Sequence, residues 1–249
     1  MVRNSCYSEE THEKAISISE VVVLFGEEVM NLKLKPLIEM TAVYILLITV
    51  VAFSSDIVKL GNTVGAKMVL TVLVYVILTA VPLTVMKLEK IPFSSLGFSK
   101  ERVGRQLLVA AAISAVSIGV FVIIPLLIGI NKTEVLGFKC RSLPILIFYI
   151  LYDIICVGFG EEIAFRGYFY SRIKAISKKE WVPVVLSAIL FGLWHFPNTL
   201  NIMNVVMTTI LGLGYASCRW KIKNCSLLSL ALAHGLHDAV ITTLSYILL

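Results

Sequence analysis

Charge is what this sequence has least of. Only 15% of its 249 residues are Asp, Glu, Lys or Arg, while 58% are apolar. A soluble domain carries about a quarter charged residues, so a soluble fold of this size would have too much surface to cover with so little charge. The mean hydropathy of +0.89 calls for a second apolar solvent, which is lipid. Paired cysteines are missing as well. The five present (Cys6, Cys140, Cys156, Cys218 and Cys225) are odd in number and contain no CxxC, which argues against a disulfide framework and a thiolate zinc site. No Pro/Gly/Ser-rich linker divides the chain. No basic patch interleaved with aromatics accompanies the net charge of +6, so nucleic acid is not an expected partner. HExxH is absent: His12-Glu13-Lys14-Ala15-Ile16 lacks the second His. The first thirty residues hold six Glu, and Val21 to Phe25 is too short for a leader's apolar region, so a polar arm is expected there rather than a secretory signal.

What is present is a series of long apolar runs. A helix needs roughly 20 residues to cross a hydrocarbon core about 30 Å thick. Seven runs approach or reach that length: Leu37–Phe53, Ala66–Met86, Leu107–Ile130, Leu143–Phe165, Val182–Phe196, Leu200–Ser217 and Ser226–Leu249. The expected fold is therefore all-α, a polytopic bundle of about seven to eight spanning helices. Residues 1–36 are expected as a polar arm, with one interfacial helix near Ile16–Met30, and residues 37–249 as the membrane domain. Lys and Arg set the orientation. Fourteen flank the runs on one side and five (Lys59, Lys67, Lys132, Lys139, Arg141) on the other, which predicts a cytoplasmic N-terminus.

The informative residues are the polar ones at membrane depth. A charged side chain near the bilayer centre costs about 2.5–3.5 kcal/mol on insertion scales, so each needs a partner or a purpose. Run four carries Glu161-Glu162-Ile163-Ala164-Phe165-Arg166, run five ends at His195, and run seven contains His234-Gly235-Leu236-His237-Asp238. Glu162 and Arg166 are four residues apart and share a helix face, so they can pair. Glu161 points about 100° away and is left for another task. His234 and Asp238 also share a face. At about 1.5 Å per residue, Glu161, His195, His234 and Asp238 fall roughly 12–20 Å deep, within one layer. Three helices can thus bring these groups to one polar cavity. His237, Phe191, Trp194 and Tyr168 read as packing or belt residues. Glu39 lies near a run end and can snorkel, whereas Asp153 is deeper and is expected to line the cavity or meet a Lys or Arg.

A buried carboxyl group and imidazoles can activate water: the carboxylate acts as general base, and imidazole orients the water, carries a proton or ligates a metal. No Ser, Cys or Thr has an obvious His partner, so hydrolysis through activated water is favoured over an acyl-enzyme. Two readings from other classes stand beside it. Intramembrane Glu, Asp and His also build proton relays in ion-coupled transporters, though the paired, interrupted segments of inverted repeats are not seen. The third is a non-catalytic immunity or binding protein.

Glu161-Glu162-x-x-x-Arg166, Phe191-x-x-x-His195 and His234-x-x-x-Asp238 resemble, in order, the three motifs of the CPBP intramembrane protease family. That family includes the type II CAAX prenyl endopeptidases and bacterial relatives linked to bacteriocin processing and immunity. The resemblance covers roughly residues 140–245. It implies an endopeptidase acting on a membrane-associated peptide or protein, lipidated or not. Glu161 is implied to activate the water, His195 to partner it, His234 with Asp238 to stabilise the oxyanion, and Glu162 with Arg166 to support them. The last position departs from Asn, a neutral donor; an Asp there is protonated, holds His234 as imidazolium, or ligates a metal. Two cofactor readings follow: zinc held by His195 and His234, or a metal-free glutamate mechanism.

Overall fold

The computed structural model describes the backbone of residues 18–249 and side chains from residue 34 on. The first 17 residues of the expected arm lie outside the described residues. Met1–Ile38 separates from Glu39–Leu249, which forms its own compact unit. Every regular element among the described residues is helical, as the apolar runs predict: in lipid each backbone N–H and C=O must be satisfied within its own segment. Eight helices follow in order. They are α1 (Ile18–Lys59), α2 (Val64–Leu88), α3 (Val103–Leu127), the short α4 (Lys132–Leu136), α5 (Leu143–Ile176), α6 (Trp181–Thr199), α7 (Ile202–Lys221) and α8 (Leu227–Leu248). Of the interfacial helix expected near Ile16–Met30, the described part, from Ile18 on, is helical.

Six helices are long and apolar enough to cross a membrane: α2, α3, α5, α6, α8 and the Leu34–Lys59 part of α1. The sixth apolar run forms α7, which at 20 residues has the length but is more polar than the other six, with Asn204, two Thr and Arg219 along it. Run four was expected to end near Phe165, yet α5 continues to Ile176. The first motif thus sits in the middle of a 34-residue helix rather than at its end. Outward faces carry large apolar side chains: Ile45, Phe53, Val69, Leu108, Leu151 and Ile155 are all exposed, which is the arrangement a lipid solvent favours.

The enclosed centre is α8. Of its most apolar window 56% is buried, against 17–39% for the other spans. Its start is fixed by a capping box, Ser226 with Ser229, and by Gln106 of α3, which bonds both serines. α8 crosses α5 glycine on glycine. A Cβ at Gly235 would stand 2.5 Å from Ile154 Cα and 2.8 Å from the Asp153 carbonyl, and one at Gly158 would strike the Ala231 carbonyl. Small residues let helix backbones approach this closely in a membrane, where packing and hydrogen bonds hold helices together. α6 and α7 form a hairpin whose approach at Gly192 likewise leaves no room for a Cβ beside Thr209. These crossings bring runs four, five and seven together.

Candidate active site

α5 is not a uniform helix around the first motif. Two π-helical stretches, Asp153–Gly158 and Ile163–Phe169, flank one α-helical turn, Phe159–Glu162. π-turns are rare and concentrate at functional sites. Each widens the helix locally and re-aims the residues around it, and here both acidic side chains turn inward. Glu161 is 4% and Glu162 0% exposed, so the two charges are withdrawn from lipid and water alike.

Glu162 is the structural carboxylate. Its Oε1 accepts from Arg166 Nη1 at 2.9 Å, the predicted i,i+4 pair, and faces His234 Nδ1 at 2.9 Å. The guanidinium stacks over the Phe191 ring, Cζ 4.1 Å from its centroid, and fits because Gly212 lacks a Cβ, which would lie 2.9 Å from Nη2. Phe191 in turn meets the rings of His195 and His234 edge-on, at 4.7 and 5.8 Å. Phe191, expected only to pack, is the spacer that sets the two imidazoles apart.

Glu161 faces the other way. Its Oε1 accepts a 2.7 Å hydrogen bond from Tyr75 of α2, while its Oε2 has no hydrogen-bond partner. That free oxygen stands 3.7 Å from His234 Nε2 and 4.0 Å from His195 Nε2. His195 lies 2.8 Å through Nδ1 from the Phe191 carbonyl; a carbonyl only accepts, so Nδ1 carries the proton and Nε2 presents a lone pair. Asp238 Oδ2 is 3.5 Å from His234 Nε2. Glu161, Glu162, Arg166, His195, His234 and Asp238 are therefore gathered from α5, α6 and α8 into one cluster.

The cluster is open on one side. A cavity of about 470 Å³ reaches Glu161 and His195, and its wall includes Ser54 and Ser55 of α1, Thr71 of α2, Tyr149 and Asn198. Trp194 also lines it, anchored by its indole N–H on the Leu47 carbonyl at 3.3 Å.

The remaining polar residues have other partners. His237 faces away, Nδ1 3.1 Å from Ser117 Oγ on α3. Asp153 was expected to line the cavity or meet a cation; it accepts a 2.7 Å hydrogen bond from Thr242, which ties α5 to α8. Glu39 pairs with Arg172. Tyr75 was missed by sequence reasoning, because nothing in an apolar run marks which tyrosine faces inward.

Zinc on His195 and His234 was one cofactor reading. Among the described residues no three His, Cys, Asp or Glu side chains are arranged to hold a metal ion. The donors that face one another most directly are His234 Nε2 and His195 Nε2, 3.7 and 4.0 Å from Glu161 Oε2.

The first two motifs thus reach the cavity through Glu161 and His195, and the third stands behind Glu161 through His234. Residues 143–240 match the family model for type II CAAX prenyl endopeptidase Rce1-like proteins. The resemblance read from the motifs is borne out over the segment that carries them. The Rce1-like match supports a CAAX-protease-like intramembrane endopeptidase in general, and the six apolar spans make the chain a multi-pass integral membrane protein. α1 to α4, which supply Tyr75 and much of the cavity wall, lie outside the Rce1-like segment. No curated protein and no solved structure matches the chain.

Proposed function

We propose that this chain hydrolyses a peptide bond of a membrane-associated protein through a water molecule activated by Glu161. One observation carries the reading: Glu161 Oε2, buried and unpartnered, faces two imidazole nitrogens at 3.7 and 4.0 Å. Those gaps are too long for direct hydrogen bonds and suit one bridging water.

The step balances as follows. Glu161 takes a proton from the water as its oxygen adds to the peptide carbonyl carbon. His195 Nε2 accepts a hydrogen bond from the water's other O–H, which stays on the oxygen, and so orients it. The carbonyl oxygen becomes an oxyanion beside His234. Glu161 then returns its proton to the amide nitrogen, the C–N bond breaks, and a carboxylic acid and an amine leave. His234 suits the oxyanion role because both its ring nitrogens face carboxylate oxygens, those of Glu162 and of Asp238 and Glu161. A ring protonated at both nitrogens satisfies that arrangement and has a proton to donate. Asp238 then holds the imidazolium, one of the three roles open to an acid at that position. Glu162 and Arg166 fix the ring from behind. No step needs a metal.

The substrate reaches Glu161 through the cavity, which combines aromatic walls with Ser54, Ser55, Thr71 and Asn198 at its polar edge. Whether the substrate is lipidated is a separate question from the cleavage chemistry. With the more basic loops in the cytoplasm, the N-terminus is cytoplasmic. The test is cleavage of a tagged membrane peptide by the purified protein in detergent. We expect Glu161→Gln to abolish cleavage while leaving the melting temperature close to wild type. Full turnover by that variant would end the assignment. Proton-coupled uptake into vesicles without cleavage would favour a carrier.

A further inference from the structure

Arg219, near the end of α7, is a largely buried cation without an anion. It makes no ion pair and no hydrogen bond among the described residues, and its Nη1 is wholly buried and unpartnered. Its guanidinium stacks over Tyr170, Cζ 4.6 Å from the ring centroid. Room for it is made by Gly97, whose φ of +92° suits glycine and whose missing Cβ would lie 2.5 Å from Nη2. Nη1 carries two of the five guanidinium donors, and leaving them unanswered out of water's reach is costly. The nearby carboxylate on α5, Glu162, is already taken by Arg166 and His234.

Beside Arg219 lies a cavity of about 400 Å³, bounded among others by Ser95, Ser171, Lys174 and Trp220. That volume falls within the range of small-molecule sites, about 300–1,000 Å³. No Asp or Glu lines it. Lys174 reaches outward to Glu180 at 3.0 Å, with both side chains half exposed, and is free to turn inward at little cost. The pocket is lined from the last turns of α5 and of α7, segments followed in the sequence by Lys178 and Lys179 and by Lys221 and Lys223. Lys221 stacks on Trp220 at 3.4 Å, as belongs to a membrane–water interface.

We propose that this pocket binds a phosphate group, presented by the headgroup of an anionic phospholipid and held by Arg219. Basic pockets between spanning helices at the interface take such headgroups. The site is about a dozen residues along α5 from Glu161, so it positions the protein in its bilayer without touching the reacting atoms.

The test uses the full chain in phosphatidylcholine nanodiscs with and without phosphatidylglycerol, reading retained phosphatidylglycerol per protein by native mass spectrometry. The wild type is expected to retain it, and Arg219→Ala to retain about fivefold less, since one interfacial cation is worth about 1 kcal/mol. Lys174→Glu places a carboxylate at the pocket from a half-exposed position and is expected to give the same loss. It decides the matter if Arg219→Ala does not fold. Lys132→Ala, at the far end, is expected to match wild type. A second arm adds inorganic phosphate. If phosphate protects the wild type thermally in pure phosphatidylcholine and displaces phosphatidylglycerol, the ligand is the soluble ion and the lipid assignment fails. Equal phosphatidylglycerol retention by wild type and both pocket variants overturns the site altogether.

Discussion

Tyr75 and Glu161 are joined at 2.7 Å, hydroxyl to Oε1, across the contact between α2 and α5. The approach is close because Gly160 has no side chain: a Cβ there would lie 2.8 Å from Thr79 Oγ1 and 3.4 Å from the Tyr75 ring. By occupying one carboxylate oxygen, Tyr75 leaves the other to face the imidazoles. It is a positioning residue. Tyr75→Phe keeps the ring and removes the donor. A hydrogen bond to a charged group is worth roughly 1.5–3 kcal/mol, so kcat is expected to fall about ten- to a hundred-fold with KM little changed. Tyr44→Phe, which removes a donor to the Leu190 carbonyl outside the cluster, is expected to leave kcat near wild type. Equal effects in both variants would reduce Tyr75 to packing.

The crossing of α5 and α8 gives a second prediction. Gly235→Ala must push its Cβ against Ile154 and the Asp153 carbonyl, which are backbone and cannot swing aside. Overpacking of this kind costs typically 1–3 kcal/mol. The next residue along is His234, so separating the helices also lengthens its distance to Glu161. A lowered melting temperature together with lost cleavage is expected. Ala239→Gly, on the same helix away from the crossing, is expected to cost stability only, through its helix propensity.

How much of this was legible in the sequence follows from the kind of signal each feature leaves. The spans and the six clustered residues were readable because charge inside an apolar run is costly and therefore conspicuous. The Glu162–Arg166 pair followed from helical spacing alone. Tyr75 was not readable: tyrosine is at home in an apolar run, and its partner lies 86 positions away. The π-turns of α5 were not readable either, because they are imposed by what packs on the helix. Asp153 was readable only as a deep acid in want of a partner, because the hydroxyl that meets it belongs to Thr242, a residue that looks like any other in a span. α7 was counted with the spans on length, and its polarity sets it apart from them.

Arg166 tests the support beneath the site. It and Glu162 are both fully buried, and Glu162 also faces His234. Removing one partner of a buried pair costs about 3–5 kcal/mol, because the other charge is left uncompensated. Arg166→Met is expected to lower the melting temperature sharply and reduce yield. Adding Glu162→Gln to Arg166→Met is expected to recover part of the stability but not the activity, since His234 then lacks the carboxylate that orients it. Activity restored in the double variant would show that the pair serves folding alone.

Zinc removal separates the two cofactor readings. If Glu161 and the imidazoles act on water without a metal, a strong chelator leaves the cleavage rate unchanged and the purified protein holds no stoichiometric metal. Loss of activity with chelator, restored by zinc alone, would move His195 and His234 from water orientation to metal ligation.

Asp238 offers the sharpest test of the oxyanion assignment. Its Oδ2 lies 3.5 Å from His234 Nε2, on the same face of α8 one turn later, and its side chain is only 28% exposed. Asn has the same shape and donates where Asp accepts. In Asp238→Asn an N–H can reach the oxyanion directly, which offsets a weaker hold on His234, so activity is expected within about tenfold of wild type. Asp238→Ala provides neither the donor nor the hold on the ring. Removing an oxyanion-hole donor costs about a hundred- to a thousand-fold in kcat, and a loss of that order is expected here, with the melting temperature moving little because the position is partly open. The ordering is what matters: Asn close to Asp, and Ala far below both. If Asn and Ala fall together, a neutral donor cannot stand in for the charge, and holding the imidazolium is the whole of what Asp238 does.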